Sequence, residues 1–309
     1  MSNTVLLMEP NEIEKVKSHY MKFRIDRSAP GVIFVAKLAD TTITIYKSGK
    51  VMFQGNGSAR EASLWSSSPV KVAPSVAKGD TLPSDFSSLS VLGSDETGTG
   101  DYFGPITVAA CFVRSEQVEL VKELGVKDSK MLTDDVMRKM APDLMETLTH
   151  SVLVLKNEKY NVIQSRGSSQ GKIKALMHNQ ALKHVLKKMG TEKPAYILID
   201  QFAERGIYYN HIKTEKEIVR ENVLFSTKAE QLHVSVAAAS IIARYAFLKE
   251  MDRLTEIANT TIPKGASAKV DAIAANIYMK YGEEFLKSIT KWHFANTQKA
   301  INLINKKRF

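Results

Sequence analysis

Two adjacent carboxylates end an apolar segment that has the composition of a β-strand. Asp95 and Glu96 close the run "VLGSDE", and three glycines lie within the seven residues 98–104 that follow. A third acid, Asp200, ends a second apolar run, "YILID". Neighbouring acids in a turn are most often solvated surface groups, but acids at the ends of strands in one sheet can converge on a single point. The pattern therefore predicts a cluster of carboxylates at one edge of a sheet.

Such a cluster indicates a site for divalent cations. Carboxylates that converge repel one another unless positive charge lies between them. Hard oxygen ligands without Cys or His nearby favour Mg²⁺ or Mn²⁺ over zinc. Two such ions about 4 Å apart can activate a water molecule and stabilise the leaving oxygen in phosphodiester hydrolysis. An all-carboxylate site in a basic protein is therefore typical of a nuclease.

The glycines after Glu96 give this site a way to approach a nucleic-acid backbone. Gly98-Thr99-Gly100 presents backbone N–H and C=O groups with little side-chain bulk. A backbone contact to a ribose 2′-OH is one way in which a protein distinguishes RNA from DNA. An ordinary loop that needs positive φ angles explains the same glycines equally well.

The composition is that of a soluble globular chain with a polyanionic partner. Its 309 residues are 44% hydrophobic and carry a formal net charge of +10, which favours nucleic acid or an anionic surface. The single Cys111 excludes internal disulfides and thiolate metal clusters, and a reducing cytoplasm is the expected location. No segment approaches the roughly 20 apolar residues of a membrane span, and the N-terminus lacks the basic start of a signal peptide.

The chain is expected to form two domains. In the first, residues 1–66, a helix precedes an antiparallel meander broken at Ala39-Asp40 and at Ser48-Gly49, and "SAREASLW" forms a second helix. Four apolar residues of the first helix share one face: Ile13, Val16, Tyr20 and Phe23.

Residues 67–88, rich in Ser, Pro, Ala and Lys, have the composition of a linker. The second domain, residues 89–309, is predicted to be a mixed sheet with helices packed on it. Its predicted strands are "SVLGSDE", "GPITVAACFV", "HSVLVLKN" and "AYILID", and its clearest helices are "GKIKALMHNQALKHVLKKM" and "VSVAAASIIARYAFLKEMDRL".

Seven segments, in order and spacing, resemble bacterial ribonuclease HIII, of the ribonuclease H type 2 superfamily. They are "GSDETGTGDYFGP", "VKDSKMLT", "SQGKIKALMHNQAL", "ILIDQFAE", "FSTKAE", "VAAASIIAR" and "HFANTQKA". "IYKSGKVMFQG" in the first domain is similar to the N-terminal extension of that family. The resemblance covers most of the chain and fails in the linker and in parts of the C-terminal third.

The resemblance implies an α/β (α+β) fold, a ribonuclease H-like mixed sheet with flanking helices. A small domain similar to half of the TATA-binding protein precedes it and helps to hold the substrate. The implied activity is endonucleolytic cutting of the RNA strand of RNA/DNA hybrids with two Mg²⁺ or Mn²⁺ ions, which leaves 3′-hydroxyl and 5′-phosphate ends. Asp95, Glu96 and Asp200 match the metal-binding acids of the family, and Glu230 is the best match for a fourth. Ribonucleases HII have aspartate at this position. The side chain of Glu230 is longer, which affects the expected distance between the two metal ions.

Substrate contacts are expected from three further segments. By resemblance, Gly98-Thr99-Gly100 contacts the hybrid backbone near the cut. Lysines in "VKDSK" can meet phosphates as point charges and the serine as a neutral donor, with solvated loop lysines as the alternative. The remaining substrate-binding candidates are Lys127, Ser129, Lys130, Ser169, Gln170, Lys172 and Asn179.

In the first domain, Tyr46, Lys47, Lys50 and Phe53 are candidates for a face that lies on the duplex, with an ordinary exposed sheet as the alternative. Three histidines near the matched segments have no assigned role: His178, His233 and His293. A lone helical histidine such as His178 is more often structural than catalytic.

Two other functions remain open. One is a ribonuclease HII-like excision of single ribonucleotides from DNA, and the other is a module that binds hybrids without cutting them. Acids in a basic groove would oppose phosphate binding unless metal neutralised them, which disfavours the binding module. Nothing in the sequence requires a membrane, a protein partner or more than a monomer.

Overall fold

Separate hydrophobic cores divide this computed structural model into two units, Met1–Val76 and Ala77–Phe309. The structure describes residues 3–26, 31–65, 79–126 and 132–307. Among these residues, no helix is long and apolar enough to cross a membrane.

The first unit is a four-stranded antiparallel sheet with two helices. Its strand order is β1-β4-β3-β2. The predicted breaks at Ala39-Asp40 and Ser48-Gly49 join consecutive strands, so the predicted meander is confirmed. The elements are β1 Asn3–Leu7, α1 Pro10–Tyr20, β2 Val32–Lys37, β3 Thr41–Tyr46, β4 Lys50–Gly55 and α2 Ser58–Ser63.

Two aromatic residues of this unit differ from their predictions. Phe23 is 48% exposed, because α1 ends at Tyr20 and a short 3₁₀ turn follows it. Phe53 is completely buried in the core of the first unit and cannot join Lys50 on a nucleic-acid face. Side chains three positions apart in one strand point to opposite faces of the sheet, so Lys50 and Phe53 cannot lie on one face.

The second unit contains a five-stranded mixed sheet in the order β7-β6-β5-β8-β9. The pairs β7-β6 and β6-β5 are antiparallel, whereas β5-β8 and β8-β9 are parallel. This arrangement confirms the predicted mixed sheet, although the last strand was not predicted because four residues give too little pattern. The strands are β5 Val91–Thr97, β6 Ile106–Val113, β7 Thr149–Leu155, β8 Tyr196–Asp200 and β9 Val223–Ser226.

Two long helices cover opposite faces of this sheet. Even-numbered residues of β6 from 106 to 112 share a core with α6, Gln170–Met189. Odd-numbered residues from 109 to 113 share a core with the Ala-rich α8, Val234–Ala258. The other helices are α3 Val118–Glu123, α4 Asp134–Thr147, α5 Asn157–Ser165, α7 Arg205–His211, α9 Ala268–Tyr281, α10 Glu283–Ile289 and α11 Ala295–Lys307.

The predicted linker contains a segment that packs onto the second unit. Residues 67–78 lie outside the described part of the chain. Gly79 forms a β-bridge with Ser226, the backbone N–H of Asp80 donates to Phe225 O at 2.8 Å, and Phe86 is 3% exposed. Residues 79–88 therefore belong structurally to the second unit, since their apolar and backbone groups find partners that composition cannot reveal.

Candidate active site

The parallel pairing of β5 with β8 brings two of the predicted acids to one sheet edge. Ser94 pairs with Ile199 in this register, so Asp95 and Asp200 follow at neighbouring positions. A short 3₁₀ turn after β9 adds Glu230. These three carboxylates line one pocket of about 540 Å³.

The charges of these acids interact. Burial, reinforced by the charges of Glu96 and Asp200, raises the pKa of Asp95 well above its ordinary value. Burial also raises the pKa of Asp200, and the charges of Glu230 and Glu96 add to this, although the backbone N–H of Ala229 donates to Asp200 Oδ1 at 2.9 Å. The site is therefore an assembly of mutually repelling carboxylates, as its sequence pattern predicts.

Glu96 lies on the opposite face of β5 from Asp95, because successive strand residues alternate. Its two carboxylate oxygens face α6: Lys174 Nζ donates to Oε1 at 2.8 Å, and His178 Nε2 lies 2.9 Å from Oε2. Burial opposes ionisation of Glu96, but the hydrogen bonds and charges of His178 and Lys174 lower its pKa below the ordinary value. Glu96 is therefore an ionised carboxylate that is neutralised from the α6 side.

The donor set fits a hard divalent ion in its chemistry. The acids offer oxygen ligands, and Mg²⁺ or Mn²⁺ would relieve the repulsion that Asp95 and Asp200 experience from their acidic neighbours. Within the described ranges, however, no three His, Cys, Asp or Glu side chains already converge as a metal ligand set. Asp95, Asp200 and Glu230 line the pocket without forming such a set, and both oxygens of Glu96 are directed to α6.

Cations at the rim of the pocket complement its acids. Lys228 and Arg244 line the pocket. Arg244 Nε donates to Asp134 Oδ1 at 2.9 Å, and Lys264 pairs with the other oxygen of Asp134. Guanidinium and ammonium groups beside a carboxylate pocket can bind the phosphates on either side of a reacting bond.

The glycine loop between β5 and β6 has one position that requires glycine, one that is open to solvent, and backbone carbonyls that bind a buried lysine. Gly98 has a φ of +92°, and a Cβ there would lie 2.2 Å from Pro105 O, so this position requires glycine for conformation and packing. Gly100 is exposed, and a Cβ added to it would have no neighbouring atom within 4 Å, so this position is open to a ligand. The buried Lys291, which the sequence did not indicate, donates to the carbonyls of Asp101 at 2.7 Å and Gly104 at 2.6 Å.

The candidates on α6 have different surroundings. Ser169 caps the helix by accepting a hydrogen bond from the backbone N–H of Lys172 at 3.1 Å. Gln170 Nε2 donates to Thr99 O at 2.9 Å and so ties the helix to the glycine loop. Asn179 is 2% exposed and uses both ends of its amide on the backbone of Glu217 and Val219, which is a structural role. Lys127, Ser129 and Lys130 lie outside the described residues.

His233 has a structural role, because it caps α8. Its Nδ1 accepts from the backbone N–H of Ser235 at 3.1 Å, and its Nε2–H donates to Leu89 O at 3.1 Å. Burial lowers the pKa of His233 from 6.5 to about 4. His293 is an exposed side chain whose ring lies 5.7 Å from that of Tyr160.

The buried cap at His233 predicts acid sensitivity. Between pH 6.5 and about 4 the unfolded chain binds a proton on His233 that the folded chain does not. The free energy of unfolding should therefore fall by about 3 kcal/mol through this one group as the pH drops across that window. Urea unfolding at several pH values would measure it. A His233→Asn variant, which keeps a capping oxygen without a titrating group, should show a shallower slope, and an equal slope would contradict the assignment.

Four basic side chains around the candidate site were not predicted from the sequence, and they share one property. Lys174, Arg244, Lys264 and Lys291 act on residues at least 78 positions away in the chain. A signal was present for one of them: Lys174 and His178 are four residues apart on one helix and so lie on the same face. Nothing in one dimension shows that this face meets Glu96.

The comparisons with known proteins cover both units. Residues 92–297 match the family model described as ribonuclease HII, and residues 3–78 match a domain of unknown function, DUF3378. The solved structure of Bst-RNase HIII in complex with Mn²⁺ is 43% identical with a TM-score of 0.71, and the match covers 99% of this chain and 100% of that one.

Curated relatives agree with this match over the full length. A ribonuclease HIII from Lysinibacillus sphaericus is 63% identical, over 98% of this chain and 100% of that protein. A ribonuclease HIII from Bacillus subtilis is 49% identical, over 100% of both chains. The expected ribonuclease H-like fold is thereby confirmed. With its mixed sheet, its carboxylate pocket and these relatives, the chain belongs to the ribonuclease HIII family, the type 2 ribonucleases H.

Proposed function

We propose that this ribonuclease cuts the RNA strand of RNA/DNA hybrids by metal-dependent phosphodiester hydrolysis, leaving 3′-hydroxyl and 5′-phosphate ends. The observation that carries the proposal is that Asp95, Asp200 and Glu230 line one pocket, with Glu96 adjacent in the strand. The Mn²⁺ in the structure of Bst-RNase HIII supports a divalent ion as the cofactor. The enzyme is proposed to act as a cytoplasmic monomer without a protein partner.

The four carboxylates hold the cofactor in this proposal. Two Mg²⁺ or Mn²⁺ ions, when bound, supply an activated water and stabilise the departing 3′-oxygen. Asp95, Asp200 and Glu230 face the pocket and act as ligands more than as bases, while Glu96 contributes from the opposite face of β5. Arg244 at the rim orients a phosphate of the bound strand.

The glycine loop places the substrate in this proposal. Gly100 is exposed and lets a sugar–phosphate backbone approach the chain closely. Thr99 O is engaged by Gln170, which keeps the loop in one conformation. The glycine loop begins where β5 ends, and Asp95 of the pocket belongs to β5. One rigid strand can therefore position both a bound ribose and the reacting phosphate.

Three labelled duplexes of one sequence test this function. They are an RNA/DNA hybrid, DNA with a single embedded ribonucleotide, and double-stranded RNA, each with Mg²⁺, Mn²⁺ or EDTA. Metal-dependent cutting at several positions of the hybrid, with little on the other two, is expected. Preferred cutting at the single ribonucleotide would indicate the ribonuclease HII-like activity instead. Tight hybrid binding without divalent ions and no cleavage with them would indicate a binding module.

We propose that residues 1–66 bind the hybrid while residues 89–309 cut it. Deleting residues 1–66 should then raise KM for a long hybrid by about tenfold and leave kcat nearly unchanged, because a tethered binding unit increases the local concentration of substrate. Steady-state kinetics of the full and truncated chains would measure both constants. A large loss of kcat at saturating hybrid would contradict a role in binding alone.

A further inference from the structure

The cation beside Glu96 is built into the fold. The side chains of Lys174 and Glu96 are only 13% and 12% exposed, and Lys174 Nζ lies 2.8 Å from Glu96 Oε1. The same ammonium group lies 4.1 Å from the centroid of the Phe202 ring, a geometry in which the face of the ring attracts a cation. Lys174 is therefore fixed in place, unlike a mobile surface lysine.

His178 completes the enclosure of this carboxylate. It is completely buried, its Nε2 lies 2.9 Å from Glu96 Oε2, and its Nδ1 lies 2.9 Å from the hydroxyl of Ser94. Because an ionised carboxylate only accepts hydrogen bonds, His178 donates to Glu96 through Nε2 and can accept from Ser94 through Nδ1. Both oxygens of Glu96 are thus occupied by donors on α6.

A divalent ion and Lys174 both supply positive charge to the acids. Each neutralises an acid cluster in which the charges of Glu96 and Asp200 act on Asp95. An oxygen that accepts a short hydrogen bond from an ammonium group has less negative charge to offer a metal, and two cations in contact repel each other. The contact with Lys174 therefore opposes metal binding by Glu96, and each cation weakens the binding of the other.

We propose that Lys174 is an internal counter-cation that competes with a divalent ion for Glu96, and so sets how tightly the site binds metal. This inference rests on the proposed metal-dependent function. It makes Lys174 a positioning residue, which acts through Glu96 and contacts neither substrate nor leaving group. Without metal, Glu96 stays neutralised by Lys174, at the expense of metal affinity.

Metal binding without nucleic acid tests the competition. Lys174→Met removes the charge while keeping the length of the side chain, and Lys174→Gln removes the charge but retains a hydrogen-bond donor. Lys174→Arg keeps the charge and is the matched control. Calorimetric titration of the full chain with Mn²⁺ should give a dissociation constant about tenfold lower for the Met and Gln variants, a change of about 1.4 kcal/mol. The Arg variant should stay close to wild type.

Thermal unfolding supplies a second readout that does not depend on activity. In EDTA, the Met and Gln variants should melt below wild type, because Glu96 loses its ammonium partner and keeps only His178. With saturating Mn²⁺ they should gain more in Tm than wild type does, since tighter binding to the folded state stabilises it more. A variant chain too unstable for calorimetry in its metal-free form can be followed by its Mn²⁺-dependent rise in Tm.

The outcomes separate the two proposals. Unchanged or weaker Mn²⁺ binding in both charge-removing variants, with normal binding by wild type, overturns the competition and leaves the proposed function intact. Absence of Mn²⁺ binding by the wild-type chain overturns the metal-dependent function together with this inference. Tighter binding in the Arg variant as well would also overturn it, because the charge would then not be the cause.

Discussion

Asp95→Asn is expected to lower kcat for hybrid cleavage by at least about 10³-fold, a loss of about 4 kcal/mol of transition-state stabilisation. Asp95 lies in the pocket between β5 and α8, and its charge interacts with those of Glu96 and Asp200. An asparagine has the same shape but carries no charge to hold a cation. Single-turnover cleavage of a uniform hybrid in Mg²⁺ and in Mn²⁺ would measure the loss.

The same substitution should stabilise the metal-free protein. Burial and like charges raise the pKa of Asp95, so its ionised form is unfavourable in the folded state without metal. Removing the ionisable group should raise the free energy of unfolding in EDTA by about 1 kcal/mol. Glu256→Gln, at an exposed acid of α8, is the control and should change neither quantity. Full cleavage by the Asp95→Asn chain would show that the site is wrongly assigned.

Gly93→Ala is expected to destabilise the second unit by more than about 2 kcal/mol. Gly93 lies in β5, two residues before Asp95, where the strand passes the first turn of α8. A Cβ there would lie 2.5 Å from Ser235 Oγ and from Val236 N, and 2.6 Å from Ser235 C. Since two of these atoms belong to the backbone, either the helix or the strand must move.

Urea unfolding compares this variant with a matched glycine substitution. Gly206 lies exposed in α7, and a Cβ added there would meet no atom within 4 Å, so Gly206→Ala should be neutral or stabilise by up to about 1 kcal/mol. Activity of Gly93→Ala at low temperature should also fall, because Asp95 and Ser240 of α8 line the same pocket. Equal stability of the two variants would mean that the contact between β5 and α8 is not close-packed.

Most of the fold could be predicted from the spacing of apolar residues and from long apolar runs. The runs of β6 and α8 are long, and their predicted spans are close to those observed. Prediction failed where a pattern was short or where partners were distant. The four residues of β9 were missed, and residues 79–88 were assigned to a linker although Phe86 is buried.

The candidate site, like the fold, could be predicted from the sequence only in part. Asp95, Glu96 and Asp200 were recognisable because each ends a strand-like run, and the register of β5 with β8 places two of them together. Strand alternation explains why Glu96 faces α6 and not the pocket. It does not show which residues of α6 Glu96 contacts. Lys174 and His178 are 78 and 82 residues away, and only the packing of α6 on the sheet selects them.

The sequence by itself determined the family, the mixed sheet, the basic charge and the acids that are candidates for metal ligands. The tertiary structure decided how those acids are distributed, with three in the pocket and Glu96 neutralised by Lys174. The physical reason is that periodicity is a local property, set by the geometry of each strand or helix. Charge compensation depends on distances between elements, which are fixed only when the helices pack on the sheet.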